Sequence, residues 1–475
     1  MKVYSNLNSN SSLDDIVQLQ RALESIPDAP FFSAVEASMS RISIASLQAE
    51  LPFLNWLHFF DSAFSQVDIE VDQDTEILVE DLDGFKTLSD ILLQYMGTEE
   101  GRATLSTHIG FQMIVDFSSV ALPMNNEDLD KNSVDQMCLE ATKIMLPLAV
   151  SAIYVREFVD RGSIAQVRTL AELIKFNFVE TIGNVQWMDP ESHGATLDKI
   201  ENIRFMLGYE ASILDPEQVD SEYADLSFED SGFFEMNLQG RLFRRETSCR
   251  KMIAPPYLED IGEEISPAES NAFYSVSRNT VAIPAAYMQA PRYSIFYPRF
   301  YQFGLMGFTI AHELFHSLDN IGRQYDIDGN VRQWWENSTI ETFEERLECF
   351  VDQYSNYTID GMRVKGSDTL GENLADFGGV KLAFQAYKSW LRSSFDLYPL
   401  STTRLSLEQW FFVSFAQDFC HKLAEEELRD LIYNDEHTPN EFRVIGSLRN
   451  LPEFSETFSC PEDSAMNPPD KCELW

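Results

Sequence analysis

Positive charge is scarce in this sequence of 475 residues. Lys and Arg number 35 against 77 Asp and Glu, which gives a formal net charge of −42 at pH 7. Because nucleic-acid binding depends on clustered Lys and Arg that contact phosphates, the composition argues against a nucleic-acid partner. The excess of carboxylates favours basic or neutral peptides over acidic ones, although it also serves simply to keep the surface solvated.

Long apolar runs and export signals are missing as well. No stretch reaches the length of about 18 apolar residues that a membrane span needs, so we expect no transmembrane segment in this chain. The N-terminus has one Lys but no apolar core, so no signal peptide is visible. Three N-x-[ST] sequons, at Asn10, Asn337 and Asn356, are nevertheless compatible with glycosylation outside the cell.

Cysteine is sparse too. The six cysteines are too widely spaced for a zinc ribbon or a C-x-x-C redox pair, which leaves disulfides and buried thiols as open alternatives. They are Cys138, Cys249, Cys349, Cys420, Cys460 and Cys472.

The apolar pattern predicts a mainly helical protein. At 44% hydrophobic residues the chain can form a well-buried core, and its length suggests two or three domains. Residues 12–208 show apolar positions at three-to-four spacing, which is typical of helices. The acidic stretch Tyr209–Glu235 predicts a surface connection. Beyond it, Asn271–Tyr274 and Thr280–Pro284 flank a turn and predict a short β-hairpin.

The sequence H-E-L-F-H at residues 312–316 is the strongest chemical signal. A helix places residues i and i+4 on one face, where the imidazoles of His312 and His316 can bind one Zn²⁺, with Glu313 beside them as a general base. The motif alone is weak in a chain this rich in Glu, so its surroundings have to support it. The apolar spacing predicts that the motif helix spans residues 302–320.

A third metal ligand is needed, because a catalytic zinc keeps three protein ligands and one open position. Glu372 is the best candidate, since Glu372 and Asp376 fall on one face of a predicted helix. Asp376 would then accept a hydrogen bond from one ligand imidazole, and Asp319 would do so from the other. A Glu/Asp pair on a helix is ordinarily a solvated face, but the metal motif nearby favours the ligand interpretation.

His437 is the candidate for stabilising the oxyanion that forms during amide hydrolysis. Its neighbours Asp435 and Glu436 are both able to keep the imidazole protonated. A loop histidine considered alone usually has no such role, so this assignment depends on the resemblance that follows.

Several segments together resemble the neprilysin-like zinc metallopeptidases, peptidase family M13. In chain order they are SNAFYSVSRN, IAHELFHSLD, TLGENLADFGG, NDEHTPNEFR and the terminal CELW. The resemblance implies a mainly α, two-lobed fold, in which a thermolysin-like catalytic lobe with a small β element and a helical lid lobe enclose a central cavity. The implied domains are a partial N-terminal lid domain at 1–235, a connection at 236–264 and a zinc peptidase domain at 265–475.

The resemblance also implies a role for each residue of the metal centre. The ligands of one zinc ion would be His312, His316 and Glu372. Glu313 would activate the water, while the carboxylates of Asp376 and Asp319 orient the ligand histidines. His437, supported by Asp435, would stabilise the oxyanion.

Substrate contacts are implied outside the metal centre. Arg443 would contact a substrate carbonyl, and Asn271 and Ala272 would hold the peptide main chain along a strand edge. This chain departs from the family at Asp418, which stands where apolar lining of the pocket after the cleaved bond is expected. Preference for a large apolar residue there would weaken, or a basic residue would be admitted.

The cysteines resemble those of the family in part. Cys349 and Cys472 match a pair that forms a disulfide within the catalytic lobe. Cys138, Cys420 and Cys460 match cysteines whose partners lie in an N-terminal segment, whereas the remaining cysteine matches none. We therefore expect the membrane anchor and the first part of the ectodomain to be missing from this sequence. Family members are mostly type II membrane proteins or secreted, which implies an extracellular or cell-surface location.

The leading hypothesis is a zinc metalloendopeptidase that cuts oligopeptides by a thermolysin-like mechanism. A catalytically silent binding or decoy protein with the same fold is the first alternative, suggested by the missing N-terminal part and by Asp418. A cytosolic peptidase without disulfides is the second alternative, because no signal peptide is visible.

Overall fold

Helices account for most of the chain, as the apolar spacing predicts. The computed structural model describes residues 13–26, 39–65, 67, 69–121, 131–228, 232–253, 265–393 and 404–475. The helices are α1 (Leu13–Glu24), α2 (Ile44–Glu50), α3 (Trp56–Phe64), α4 (Leu82–Met96), α5 (Glu99–Ala121), α6 (Lys131–Met145), α7 (Pro147–Phe158), α8 (Arg161–Gly183), α9 (Pro190–Glu201), α10 (Pro216–Glu222), α11 (Phe233–Ile253), α12 (Arg299–Gln302), α13 (Phe308–Phe315), α14 (Asn337–Ser355), α15 (Leu370–Ser393), α16 (Leu407–Asp418), α17 (Glu425–Asn434), α18 (Asn440–Leu448) and α19 (Pro452–Phe458). The strands are β1 (Met39–Ser43), β2 (Glu76–Glu80), β3 (Arg204–Gly208), β4 (Phe273–Ser275), β5 (Thr280–Pro284), β6 (Thr358–Ile359) and β7 (Met362–Arg363).

The chain divides into two compact units, each with its own core. The first unit comprises Met1–Val150 and Asp215–Tyr257, and the second comprises Ser151–Leu214 and Leu258–Trp475. The predicted domains, 1–235 and 265–475, have other limits and stay a prediction. Within the predicted connection, the described residues up to 253 are helical, because they belong to α11.

The first unit combines helices with one pair of strands. Strands β1 and β2 pair antiparallel, with Met39 opposite Glu80 and Ser43 opposite Glu76. The buried residues of its core are Ile44, Leu47, Leu51, Trp56 and Val79. This unit contains none of the predicted metal ligands.

Pro147 separates α6 from α7 within residues 12–208, the region that the apolar spacing predicts to be helical. Proline lacks a backbone N–H and fits the first turn of a helix, so it opens α7 instead of continuing α6. Among the described residues, no single helix has both the length and the apolar character to cross a membrane. One bent pair, Asn132–Met145 with Pro147–Phe158, meets that criterion by length and composition alone.

A three-stranded sheet in the order β3-β5-β4 lies in the second unit. Strand β5 pairs in parallel with β3 and antiparallel with β4, where Phe273 lies opposite Ala282 and Ser275 opposite Thr280. The predicted hairpin is therefore present. Its β4 strand occupies an edge of this sheet, which leaves one side of β4 without a strand partner in the sheet.

The helix that carries the metal motif has a π-helical segment at Phe303–Gly307 between α12 and α13. The regular helix ends at Phe315, earlier than the predicted end at residue 320. The reason is a turn in which Asp319 Oδ1 accepts hydrogen bonds from the backbone N–H groups of Ile321 and Gly322. Gly322 is required in this turn, because a Cβ there would lie 1.7 Å from the carbonyl oxygen of His316.

Two adjacent glycines allow α15 to pack closely against α13. A Cβ on Gly379 would lie 3.0 Å from the backbone of His312, and a Cβ on Gly378 would lie 2.7 Å from the ring of Phe315. The segment T-L-G-E-N-L-A-D-F-G-G thus combines acidic side chains with the small residues that bring them near the motif helix.

Candidate metal centre

Helices α13 and α15 bring the three predicted ligands together. His312 lies on α13, His316 directly follows it, and Glu372 lies in the first turn of α15. His312 Nε2 is 3.1 Å from His316 Nε2 and 3.2 Å from Glu372 Oε2. His316 Nε2 is 3.4 Å from Glu372 Oε1. Three side chains from two distant parts of the sequence therefore converge on one point.

The donor set fits zinc. Metal–ligand distances of about 2.0–2.1 Å and tetrahedral angles place neighbouring ligand atoms about 3.3 Å apart, and the three separations lie within a few tenths of an ångström of that value. Glu372 Oε2 is buried and accepts no well-aligned hydrogen bond, although two imidazole nitrogens lie near it. Such an oxygen is suited to coordinate a cation.

Asp319 fixes the orientation of His316. Its Oδ2 lies 2.7 Å from His316 Nδ1, so the ring donates from Nδ1 and leaves Nε2 free to bind a metal. The carboxylate itself is held by the backbone N–H groups of the turn that ends the motif helix. Asp319 thus lies beside one of the predicted ligands, and its role in orienting that ligand stays a prediction.

Asp376 stands behind the other histidine. Its Oδ1 is 3.0 Å from His312 Nδ1, and its two oxygens accept hydrogen bonds of 2.7 and 2.6 Å from Arg443. Burial alone would raise the pKa of Asp376, but the positive charge of Arg443 holds it below its usual value. Arg443 is thus committed to Asp376 in this structure, and its contact with a substrate carbonyl stays a prediction.

Glu313 is buried beside the predicted ligands, with 6% of its surface exposed. Burial raises the pKa of Glu313, although the positive charges of His312 and His316 partly oppose this. A carboxylate with a raised pKa is a better proton acceptor near neutral pH than an exposed one. The position and environment of Glu313 therefore suit a general base.

His437 approaches the same point from the loop before α18. Its Nδ1 and its backbone N–H both lie 2.8 Å from Asp435 Oδ1, and its Nε2 lies 3.0 Å from Glu372 Oε2. Burial would lower the pKa of His437, but the hydrogen bond with Asp435 and the nearby negative charge of Glu372 raise it to about 9. Glu436 also brings a ligand atom within 4.8 Å of Glu372 and His437, but it is exposed.

The predicted peptide-binding residues lie at the sheet edge. Asn271 is exposed and Ala272 is 7% exposed, and both directly precede β4. Because β4 is an edge strand, its free side is able to pair with an extended peptide. The role of these two residues stays a prediction.

Asp418, predicted to alter a substrate pocket, is paired with a residue that the sequence did not indicate. Its Oδ2 lies 2.8 Å from Arg292 Nη1. Burial raises the pKa of Asp418, and the positive charge of Arg292 opposes this shift. No local motif marks Arg292. Sequence reasoning also missed Lys199, whose amine donates a hydrogen bond to the carbonyl of Ser317 directly after the metal motif. Its only local signal is a lysine on an otherwise buried helix face, beside Ile200.

One disulfide, Cys349–Cys472, is present with a Cα–Cα distance of 5.6 Å, as the resemblance implied. The thiols of the other four cysteines are free, and Cys138 and Cys420 are exposed. The sequon residues Asn337 and Asn356 are exposed, whereas Asn10 lies outside the described residues.

Two family models match the chain. Residues 271–474 match a model described as peptidase family M13, and residues 3–210 match a second model with the same description. Both the metal centre and the helical first half of the sequence therefore lie within matched regions.

Named relatives match over most of the chain. An endothelin-converting enzyme homolog of Locusta migratoria is 35% identical over 451 residues, which are 93% of this chain and 62% of that protein. Neprilysin-3 of Drosophila melanogaster is 34% identical and endothelin-converting enzyme 1 of Homo sapiens is 33% identical, with 57% of each covered. The chain thus spans about three fifths of the length of these relatives.

Solved structures share the fold. The Mycobacterium tuberculosis zinc metalloprotease Zmp1 in complex with an inhibitor matches with a TM-score of 0.81 and 23% identity, over 97% of this chain and 70% of that chain. PepO from Lactobacillus rhamnosis HN001 matches with a TM-score of 0.78 and 19% identity, over 95% of this chain and 69% of that chain. The predicted fold class is confirmed.

Proposed function

Because this chain belongs to peptidase family M13, we propose that it is a zinc-dependent metalloendopeptidase that hydrolyses peptide bonds in oligopeptides. The observation that carries the proposal is the convergence of His312, His316 and Glu372 at separations of 3.1–3.4 Å, with buried Glu313 beside them. A binding or decoy protein has no need for this complete set.

Each residue of the centre has a task in amide hydrolysis. A zinc ion held by the three ligands would polarise the peptide carbonyl and acidify a water molecule. Glu313 accepts the proton of the attacking water and returns it to the leaving amine. His437, held protonated by Asp435, donates a hydrogen bond to the oxyanion. Asp319 and Asp376 keep the ligand imidazoles oriented.

The proposed location is extracellular or at the cell surface. The Cys349–Cys472 disulfide and the exposed sequons at Asn337 and Asn356 support it, since disulfides form and persist mainly in oxidising compartments. Mass spectrometry of protein from its native source should find glycans at these two residues. Unmodified sequons together with a reduced cysteine pair would favour the cytosolic alternative.

Replacement of Glu313 by Gln tests the chemistry. The variant should retain about one zinc ion per chain while its turnover of short peptides falls by about 10²–10⁴-fold, because only the general base is lost. Glu345→Gln, on the exposed side of α14, is the matched control and should cleave normally. Full activity of Glu313→Gln would contradict the mechanism, and a wild-type protein with stoichiometric zinc but no cleavage would favour the binding protein.

A further inference from the structure

A mostly buried ion pair links Arg292 to Asp418 at the end of α16. Arg292 Nη1 lies 2.8 Å from Asp418 Oδ2 and donates a second hydrogen bond of 2.6 Å to Tyr287 Oη. The side chain of Asp418 is 12% exposed and that of Arg292 is 34% exposed. The pair has no part in the mechanism proposed above.

One line of contacts leads from this pair to Glu313. Tyr287 Oη lies 3.3 Å from Thr309 Oγ1, and Thr309 precedes Glu313 by four residues on the same face of α13. Burial raises the pKa of Tyr287 to about 12, and the negative charges of Asp418 and Glu313 both add to that shift. Tyr287 therefore lies between the ion pair and the proposed general base.

A second line of contacts reaches the ligands from the other side. The ring of Phe419, the residue after Asp418, lies 5.7 Å from the ring of Phe308, which is 5.7 Å from the imidazole of His312. The guanidinium of Arg443 lies 4.9 Å from the centre of the Phe419 ring. Both lines therefore connect the same pair to residues of the metal centre through a few intervening side chains.

The pair presents a guanidinium, not a carboxylate, to its surroundings. Among the described residues, only Nη1 of Arg292 has a hydrogen-bond partner, so Nε and Nη2 stay available. A guanidinium edge binds a carboxylate through two parallel hydrogen bonds. An apolar side chain placed there would remove water from the charge without replacing its hydrogen bonds. A basic side chain would have to displace Arg292 from Asp418.

We propose that Arg292 is a specificity-determining residue that selects peptides with an acidic side chain, Asp or Glu, beside the cleaved bond. This inference rests on the proposed function. Asp418 is the positioning residue of Arg292 and fixes the guanidinium through Nη1. This local selection acts against the net charge of −42. At physiological ionic strength, however, charges farther than about 8 Å away are largely screened.

The test uses the full chain loaded with zinc and a set of peptides that differ only in one residue next to the cleaved bond, either Glu, Gln, Leu or Lys. We expect kcat/KM for the Glu peptide to exceed that for the Leu peptide by about tenfold or more in the wild type. Arg292→Gln should lower this ratio at least tenfold, whereas Arg292→Lys should retain part of it. Replacing Arg292 by Leu together with Asp418 by Val should reverse the preference.

Lys388→Gln is the matched control. This variant breaks another ion pair to α16, the one between Lys388 and Glu408. Because Lys388 lies about 24 Å along α15 from Glu372, the variant should leave the Glu/Leu ratio unchanged. A wild type that prefers Leu or Lys, or an Arg292→Gln variant with the wild-type ratio, would overturn the inference.

Binding separates this inference from the proposed function. If zinc-loaded wild type cleaves no peptide, the proposed function fails. The inference can still be tested by measuring the binding of the same peptides to the Glu313→Gln variant by fluorescence anisotropy. Tighter binding of the Glu peptide than of the Leu peptide, lost when Arg292→Gln is added, supports the inference. Equal binding overturns it.

Discussion

Lys199 Nζ lies 2.9 Å from the carbonyl oxygen of Ser317, the residue directly after the proposed ligand His316. The same amine donates hydrogen bonds of 2.7 Å to the carbonyls of Gly322 and Tyr325, and its side chain is fully buried. Burial lowers the pKa of Lys199, and the negative charges of Asp319 and Asp326 oppose this. A single amine from α9 thus fastens the turn that carries Asp319.

We expect Lys199→Met to weaken both the fold and the metal site. Three carbonyls lose the hydrogen bond from the buried amine at a cost of about 1–3 kcal/mol each, although Gly322 keeps one from the N–H of Tyr325. The free energy of unfolding should therefore fall by about 3 kcal/mol or more. As the turn loosens, Asp319 should orient His316 less well and zinc affinity should fall about tenfold. Urea unfolding and competition with a chelator measure the two effects.

Lys175→Met provides the comparison for Lys199. Lys175 also donates to two backbone carbonyls, those of Glu201 and Ile203, and none of its hydrogen bonds within the described part of the chain reaches the turn after the metal motif. This variant should lose stability and keep its zinc affinity. If Lys199→Met also kept full zinc affinity, the link between Lys199 and the metal site would be wrong.

Asp319→Asn should reduce zinc affinity by about 10–100-fold, because the residue behind a ligand imidazole sets its tautomer and basicity. The amide retains the size of the carboxylate, so the fold should persist. Calorimetric titration of the apoprotein with zinc gives the affinity directly. Asp328→Asn, exposed and in the same loop region, is the control, and equal affinities for the two variants would remove Asp319 from the site.

Loss of the Cys349–Cys472 disulfide should lower the free energy of unfolding by about 2–5 kcal/mol, because the bridge closes a long loop between cysteines that are 123 residues apart in sequence. The double replacement of both cysteines by Ala tests this in denaturant titrations. Reductant should bring the wild type to the same midpoint. Cys138→Ser, at an exposed free thiol, should have no such effect. A double variant with the same free energy of unfolding as the wild type would contradict the expectation.

Asp189 should make the protein sensitive to acid. It caps α9 by accepting hydrogen bonds from the N–H groups of Glu191 and Ser192, and it also accepts one from Thr339 Oγ1. Burial alone would raise its pKa, but these hydrogen bonds lower it from the usual 3.8 to about 2. Since the folded pKa is the lower one, the stabilisation is complete above about pH 4 and disappears as the pH falls through 2.

Asp189→Asn isolates that contribution. The wild type should exceed the variant by about 1 kcal/mol in free energy of unfolding at pH 6, a value discounted for solvent screening. The difference should shrink between pH 4 and pH 2. Thermal unfolding of both proteins across this range measures it, and a constant difference would show that the carboxylate charge has no part.

The grouping of the proposed metal ligands was predictable because their signals are local. The i, i+4 spacing of His312 and His316 and the Glu372/Asp376 pair each lie within one helical turn, so the sequence indicates which side chains share a face. The hairpin before them was equally predictable from its short turn. The packing of α15 on α13, which the glycines at 378 and 379 permit, became known only from the structure.

The parts that the sequence did not reveal depend on contacts between distant residues. Arg292 and Asp418 are 126 residues apart, and Lys199 lies 118 residues before Ser317, with no spacing that connects them. The motif helix ended early for a similar reason, since the turn after it is stabilised by Asp319 and by the close approach of Gly322 to His316. Such contacts cannot be predicted from the helix propensities of the local residues.

The bond between Cys349 and Cys472 also turns the segment between them into a covalent ring. Glu372, Asp376, His437 and Arg443 all belong to that ring, while His312 and His316 precede it. A protease that cuts the backbone once anywhere inside the ring leaves two fragments that stay joined through sulfur, so neither Glu372 nor His437 can diffuse away from the histidines. Nicked molecules would therefore migrate as a single species until a reductant releases the pieces.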